Sequence, residues 1–356
     1  MQLDMHFYGI YALARASGLD PETAKTLAYA SQFVDDAIDD EHVVVANNRA
    51  IVPTMTSHKP IDYQNAIPGD QWKIWVPFHF LPGNDPQART FVERMVCEAD
   101  SGPANQMFLD ALDVKNEAFW PHLIGIVSHV YADTFSHFGF VGFASHWNRA
   151  NEQKIEILNV DKKSGIFAYI RGKFEEFKAR FLSPLAELIP VGHGAVATFP
   201  DRPYLEWRFQ YETHKGKVKY TYRNNPKIFL KACEKLYSYF RKYMETLSGT
   251  SNPKPNKTWL NIKEPVKMLL EYQAPCDERI AFWKRSIANG IFCPVTDLDR
   301  TLHYDEALWK PKNVANEQTP GQEIRETNAC KYIRAAWKHR NYVLHELLPK
   351  FDIIVY

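Results

Sequence analysis

The stretch Ser128-His129-Val130-Tyr131-Ala132-Asp133-Thr134-Phe135-Ser136-His137 decides how the chain is read. Upstream, Pro121 suits the first turn of a helix, where its missing N–H would have no intrahelical partner. The apolar spacing then predicts a helix running towards Phe140. Within it, His129, Asp133 and His137 stand at i, i+4 and i+8. At about 100° per residue, Asp133 is rotated about 40° and His137 about 80° from His129, so all three share a face with His122, Ile126 and Phe140. Imidazole nitrogens and a carboxylate presented together are the donor set of zinc and related cations. At a rise of about 1.5 Å per residue, His129 and His137 stand about 12 Å apart along the axis, too far to grip one ion together comfortably. Two ions flanking or bridged by Asp133, at the roughly 3.5–4 Å usual in two-metal hydrolases, fit better. The competing reading is a polar stripe satisfied within a helical core.

Working outward, the pattern is mostly helical. Residues 3–17 are apolar at helical spacing and stop at Gly18, a good C-terminal cap. Asp20-Pro21 reads as cap and first position of a second helix reaching about Ile38. Residues 42–84 differ: Pro53, Pro60, Pro68, Pro77 and Pro82 break helices, and Lys73-Ile74-Trp75-Val76 reads as extended. Helices are expected near 86–99, 103–112, 166–188 and 227–247, with a loop over 190–203 and a hairpin or extended arm over 214–223. The run Ser248-Gly249-Thr250-Ser251-Asn252-Pro253-Lys254-Pro255 has linker composition. Further helices are expected near 262–273, 277–288 and 322–348. The predicted fold class is mainly α, a multi-helix globular domain with long irregular loops. It divides into a metal-site helical domain over 1–248, a linker-like segment over 249–258 and a helical C-terminal part over 259–356, packed on the first.

Composition narrows the function. The chain has 356 residues, with 43 Lys+Arg against 42 Asp+Glu and a formal net charge of +1, so nothing global draws it to nucleic acid or anionic membranes. With 45% hydrophobic and 24% charged residues it is neither disordered nor collagen-like. No apolar run approaches the roughly 18 residues of a spanning helix. The N-terminal residues lack the basic and apolar regions of a secretory signal. Five scattered cysteines without CxxC spacing argue against a disulfide framework or a Cys-rich zinc site, and favour a reducing cytoplasm. HExxH, GxSxG, P-loop and adjacent His-Asp motifs are absent. Lys215, Lys217, Lys219 and Arg223, with Tyr220 and Tyr222, form a basic-aromatic arm of the kind that contacts phosphate or single strands; a solvated hairpin has the same composition.

A multi-ion site needs more ligands. His6 lies on the Leu3/Ile10/Leu13/Ala14 face of the first helix and points inward. Asp35 lies at the edge of the Leu27/Ser31/Val34/Ile38 face, whereas Asp36 lies nearly opposite Leu27. Asp35 is therefore the better ligand, since a buried unpaired carboxylate is costly without a cation; Asp36 either supports it or faces solvent. His58, His79 and His193 lie in irregular segments rich in Pro or Gly, where site residues are often held. Each taken alone also suits a hydrogen-bonding or surface histidine. His146 is a weaker candidate.

Met5-His6-Phe7-Tyr8, Tyr29-Ala30-Ser31-Gln32-Phe33-Val34-Asp35-Asp36, His129-x3-Asp133-x3-His137-Phe138-Gly139 and Gly192-His193-Gly194 resemble an uncharacterised family of microbial proteins, over most of the chain. More distantly the pattern resembles the zinc-dependent phospholipase C and single-strand nuclease superfamily, mainly helical phosphoesterases with a three-zinc cluster. By position, that resemblance implies His6, Asp35, His58, His129, Asp133 and His137 as ligands, with Asp133 bridging and His193 as a later ligand. Those enzymes also use an N-terminal Trp as a ligand, and their last pair is His-x3-Asp or His-x3-Glu. Here the residue at that spacing after His193 is Ala197, and Asp201 comes eight later. The implied function is metal-dependent hydrolysis of a small-molecule or lipid-like phosphoester by an activated water, with Asp35 or Asp36 taking the proton. Zinc is the first metal, as two or three ions, with iron or manganese behind it. The competing readings are an amide hydrolase, an iron-dependent oxygenase and a non-catalytic protein with a structural metal.

Overall fold

A computed structural model describes residues 1–58, 68–181, 191–211 and 219–355. The chain starts with Asp4–Gly9, wound as a π-helix, which passes directly into Ile10–Ser17; together they form α1. Gly18, at φ 114°, ends it in the left-handed conformation that glycine adopts freely. Helix α2 spans Pro21–Asp36, with the Asp20 carboxylate accepting from the N–H groups of Glu22 and Thr23. A small hairpin, Val43–Val45 (β1) with Arg49–Ile51 (β2), follows.

The segment 73–76, expected as extended, is helical. Pro68–Asp70, Gln71–Trp75 and Val76–Phe78 form one short continuous helix, α3. Ile74, Val76, Pro77 and Phe78 are buried there, and packing of this apolar set outweighs the strand preference of Ile, Val and Trp. The helix expected near 86–99 shrinks to Phe91–Arg94, opened by a Thr90/Glu93 capping box, because the Pro82–Cys97 bridge draws the flanks into a loop.

Helices α4 (Gly102–Leu112) and α5 (Trp120–His137) follow. Apart from Pro121, every residue of α5 is buried. It is an enclosed central helix, not one with a single inward face. It is packed by α2, α3, α4, α7 (Asn225–Ser248) and α10 (Asn328–Tyr342). Between α5 and α7 run α6 (Gly165–Phe181) and a three-stranded antiparallel sheet of β3 (Glu156–Ile157), β4 (Glu206–Tyr211) and β5 (Lys219–Asn224). The rest of the helix expected to 188, and Lys215 and Lys217 of the basic arm, lie outside the described residues. A second apolar cluster under the sheet joins Trp207 and Phe209 to Phe80, Phe140 and Phe199. It anchors the loop that carries His193 and Asp201.

Helices α8 (Trp259–Glu271), α9 (Cys276–Ala288) and α10 make up most of the C-terminal part. The region expected as one helix over 322–348 is divided, with Gly321–Arg325 ending before Thr327 caps α10. One apolar core runs from Met1 to Ile353 and draws on both parts of the chain. The linker-like segment is tied to α1: Lys257 N–H donates to the Ala16 carbonyl at 3.0 Å, and Asn256 Nδ2 to the Arg15 carbonyl at 2.6 Å. Among the described residues, no helix is long and apolar enough to cross a membrane.

Helix α2 crosses directly over α5 at Gly125. A Cβ at Gly125 would lie 2.3 Å from the Leu27 carbonyl oxygen and 2.6 Å from the Ala30 Cβ. The missing side chain lets the two backbones touch, which carries Asp35 towards His129. Gly125→Ala is expected to lower stability by about 1–3 kcal/mol, the usual range for overpacking, read as a lower denaturant midpoint at unchanged slope.

Candidate metal centre

Helix α5 supplies three of the polar side chains, and Asp133 is at their centre with 1% exposure. Its Oδ2 lies 3.1 Å from His129 Nε2, 3.3 Å from His79 Nδ1 and 3.5 Å from His137 Nδ1. Its Oδ1 lies 3.2 Å from His6 Nε2 and accepts from the Met1 amino group at 2.7 Å. That amino group is also 3.2 Å from Asp201 Oδ1. Asp35, at the end of α2, brings its Oδ1 to 3.8 Å from His129 Nε2 and 3.9 Å from His79 Nδ1. His137 Nε2 is 3.2 Å from Asp201 Oδ1, and His193 Nε2 is 3.6 Å from Asp201 Oδ2. Among the described residues, three sets thus hold ligand atoms within 4.8 Å of one another: His6/His129/Asp133, Asp35/His79/His129 and His137/His193/Asp201.

The imidazole orientations follow from their outer hydrogen bonds. A backbone carbonyl only accepts, so the ring nitrogen facing it carries the proton. His79 Nε2 donates to the Thr56 carbonyl at 2.9 Å, which turns its Nδ1 towards Asp35, His129 and Asp133. His137 Nδ1 donates to the His79 carbonyl at 2.9 Å, and His193 Nδ1 to the Ala197 carbonyl at 2.7 Å. Both Nε2 atoms therefore face Asp201. Ala197 holds φ 46° and ψ −134°, a strained conformation for an L-residue, and this turns its carbonyl to His193. Such outer bonds fix tautomer and ring angle in metal sites. At the C-terminus of α5, the buried Arg223 guanidinium donates to the carbonyls of Ser136 and Phe138, so the helix ends directly after His137.

Electrostatics point the same way. Burial pushes His129 and His193 down to about 4, and His6 well below its ordinary value, so these rings are neutral bases at pH 7. Burial alone would raise Asp133, but His137, the Met1 amine, His129 and His6 hold it well below the usual carboxylate range. Asp201 is also lowered: burial opposes this, and the Met1 amine, His193 and His137 outweigh it. The same carboxylates raise the Met1 amine to about 11, although burial works against it. Asp35 is raised, by burial first and then by Asp133, Asp36 and Asp201. Its side chain is 34% exposed, against 0–9% for His6, His79, His129, Asp133, His137 and Asp201. Neutral imidazoles grouped around ionised, buried carboxylates are a donor set that a divalent cation satisfies.

Of the residues expected from sequence, His6, Asp35, His129, Asp133, His137 and His193 are brought together. His58 is in none of the three sets. Its ring lies 6.1 Å from that of Trp75, and the end of α3 turns His79 inwards. Asp36 is also outside them, accepting from Tyr304 Oη at 2.5 Å and Gln32 Nε2 at 3.1 Å. His122, two turns before His129 on the same helix, is held apart from the cluster, with Nε2 3.0 Å from Asn328 Oδ1. Asp201 was not among the expected ligands. Pro77 and Pro82 bracket His79, and Pro200 and Pro203 bracket Asp201, and this shared rigidity was the signal available in sequence. His79→Ala is expected to cost cation affinity at least 10-fold and His58→Ala to leave it within about 2-fold, measured by chelator competition.

No curated protein and no solved structure matches the chain. A family model described as a family of unknown function, DUF6765, matches residues 1–347, and the chain belongs to that family.

Proposed function

We propose that this protein is a metal-dependent hydrolase whose His/Asp centre holds two or three cations, zinc first, and acts on a phosphoester. One observation carries the reading. His79 Nδ1 and His129 Nε2 lie 3.8–3.9 Å from Asp35 Oδ1 and 3.1–3.3 Å from Asp133 Oδ2. One cation would be held by Asp35, His79 and His129, and a second, displacing the Met1 amino group from Asp133 Oδ1, by His6 and Asp133. His137, His193 and Asp201 would hold a third. The order of ligand types along the chain and the mainly helical architecture support a likeness to the zinc-dependent phospholipase C and single-strand nuclease superfamily, with His79 as the ligand from the proline-rich segment. Iron or manganese suits the same donors less specifically.

Bound cations of this kind lower the pKa of water towards neutrality and neutralise charge on a phosphoryl oxygen. The chain's own residues do the rest. Asp35, the most exposed carboxylate of the set, takes the proton of an entering water on the oxygen not turned to His79 and His129. Asp36, clamped by Tyr304 and Gln32, steadies the end of α2 beneath it. His6, His129 and Asp133, with 0–1% exposure, exclude bulk water from the deep side. A small or lipid-like phosphoester approaches from the side of Asp35 and His193, the latter 19% exposed.

The test is elemental analysis of protein purified without chelator, followed by assay against phosphomonoesters and phosphodiesters. At least one equivalent of transition metal is expected, with hydrolysis reduced 100-fold or more by Asp133→Ala and His129→Ala. No stoichiometric metal, or full activity in both variants, refutes the reading. Acid should release the ion by protonating its ligands: burial holds His129 and His193 down to about 4 and a bound cation lowers them further, so occupancy is expected to hold at pH 6 and to be lost only below about pH 4. Burial of nearly every ligand also favours a second reading, in which the ions only staple the fold. Metal removal would then lower the melting temperature with no hydrolysis found at any stage.

A further inference from the structure

Thr56 stands two residues before His58 and is in none of the three ligand sets. It is nonetheless the residue on which the arms of the Asp35/His79/His129 set meet. Its side chain is fully buried. Its N–H donates to the Ala37 carbonyl at 3.0 Å, and its Oγ1–H to the Val34 carbonyl at 2.7 Å. Those two carbonyls stand on either side of Asp35, at the last turn of α2. Its own carbonyl accepts from His79 Nε2 at 2.9 Å. A single residue therefore fixes the backbone on both flanks of one ligand and the tautomer and ring angle of another.

Thr56 is held in turn from the C-terminal part. Tyr332 of α10, 1% exposed, has its hydroxyl 2.9 Å from Thr56 Oγ1. The one hydroxyl proton of Thr56 is committed to Val34, whose carbonyl cannot donate, so Tyr332 donates to Thr56. This gives an unbranched run of bonds from α10 through Thr56 to α2, with the Thr56 carbonyl extending it to His79. His339, also in α10, reaches the same arm, with Nε2 2.9 Å from the Pro77 carbonyl two residues before His79. The His137/His193/Asp201 set is oriented by different groups, the carbonyls of His79 and Ala197 and the C-terminal end of α5.

We infer that Thr56, locked by Tyr332, is the positioning residue for one cation of the centre, the one bound by Asp35, His79 and His129. The inference rests on the metal-dependent reading above and assigns the C-terminal part a role in it. Neither residue touches an ion or substrate. They act through the angle at which Asp35 Oδ1 and His79 Nδ1 face each other.

The experiment titrates metal-free wild type, Thr56→Val, Thr56→Ser and Tyr332→Phe with cobalt(II), following d–d absorption and competition with a chromophoric chelator. Thr56→Val keeps the shape and the backbone bonds and loses the hydroxyl. It is expected to weaken one cobalt equivalent by about 10–100-fold and to change the absorption band of that equivalent, with the others unaltered. Thr56→Ser restores the hydroxyl and both properties. Tyr332→Phe moves the same equivalent in the same direction, and it carries the test if Thr56→Val does not fold. Variants that titrate like wild type, or that weaken every equivalent equally in step with a lowered unfolding midpoint of the metal-free protein, overturn the inference. Wild type that takes up no cobalt overturns the metal-dependent reading itself, and this inference with it.

Discussion

Asp133 is an ionised carboxylate at 1% exposure in the middle of a helix with almost no solvent-facing residue. A charge so placed is tolerated only when opposite charge and hydrogen-bond donors surround it closely. Much of the architecture serves that requirement. The Met1 amine approaches one oxygen, and His129, His79 and His137 crowd the other. The carbonyls of Thr56, His79 and Ala197 set which nitrogens of His79, His137 and His193 carry protons. Surrounding groups at that density need several chain segments to converge on α5. That convergence explains why α5 is enclosed on all sides.

Convergence is achieved by close backbone contact and by buried polar clamps. Gly125 lets α2 lie directly on α5, and at Gly192 a side chain would collide with the Phe80 ring at 2.2 Å. Ion pairs then tie the C-terminal part to the ligand-bearing segments. Arg279 of α9 donates to Asp4 at 2.7 Å, two residues from His6, and Arg15 of α1 pairs with Asp299 at 3.0 Å. Tyr304 reaches Asp36, next to Asp35, and His339 reaches Pro77, close to His79. Residues after 258 thus contact the His6, Asp35 and His79 arms without contributing a ligand to any of the three sets. The π-helical start of α1, which carries His6, is the kind of local winding often found at functional sites.

Helical periodicity made much of this legible. The spacing of His129, Asp133 and His137 placed them on one helix and separated the two histidines too far for a shared ion, and they belong to different sets with Asp133 between them. Capping residues marked α1 and α2 well, because Gly18, Asp20 and Pro21 act locally. Loop histidines were harder. Periodicity says nothing about which way a proline-rich segment turns, so His58 and His79 looked equivalent in sequence. Their fates differ because α3 forms on tertiary packing against the strand preference of its own residues. Asp201 escaped notice for the same reason: eight residues separate it from His193, and a strained turn at Ala197 folds that interval back.

What the sequence determined by itself was the mainly helical class, the central helix with its His/Asp row, the inward placement of His6 and Asp35, and the absence of a global charge that would favour nucleic acid. These follow from local spacing, where 3.6 residues per turn and capping chemistry suffice. The tertiary structure decided that His79 rather than His58 joins Asp35, that Asp201 closes the set at His137, and that a C-terminal tyrosine reaches the centre through Thr56. Each of these depends on contacts between residues 44 to 276 positions apart or on the course of an irregular loop. No local rule carries information over that distance; only the packing of the core does.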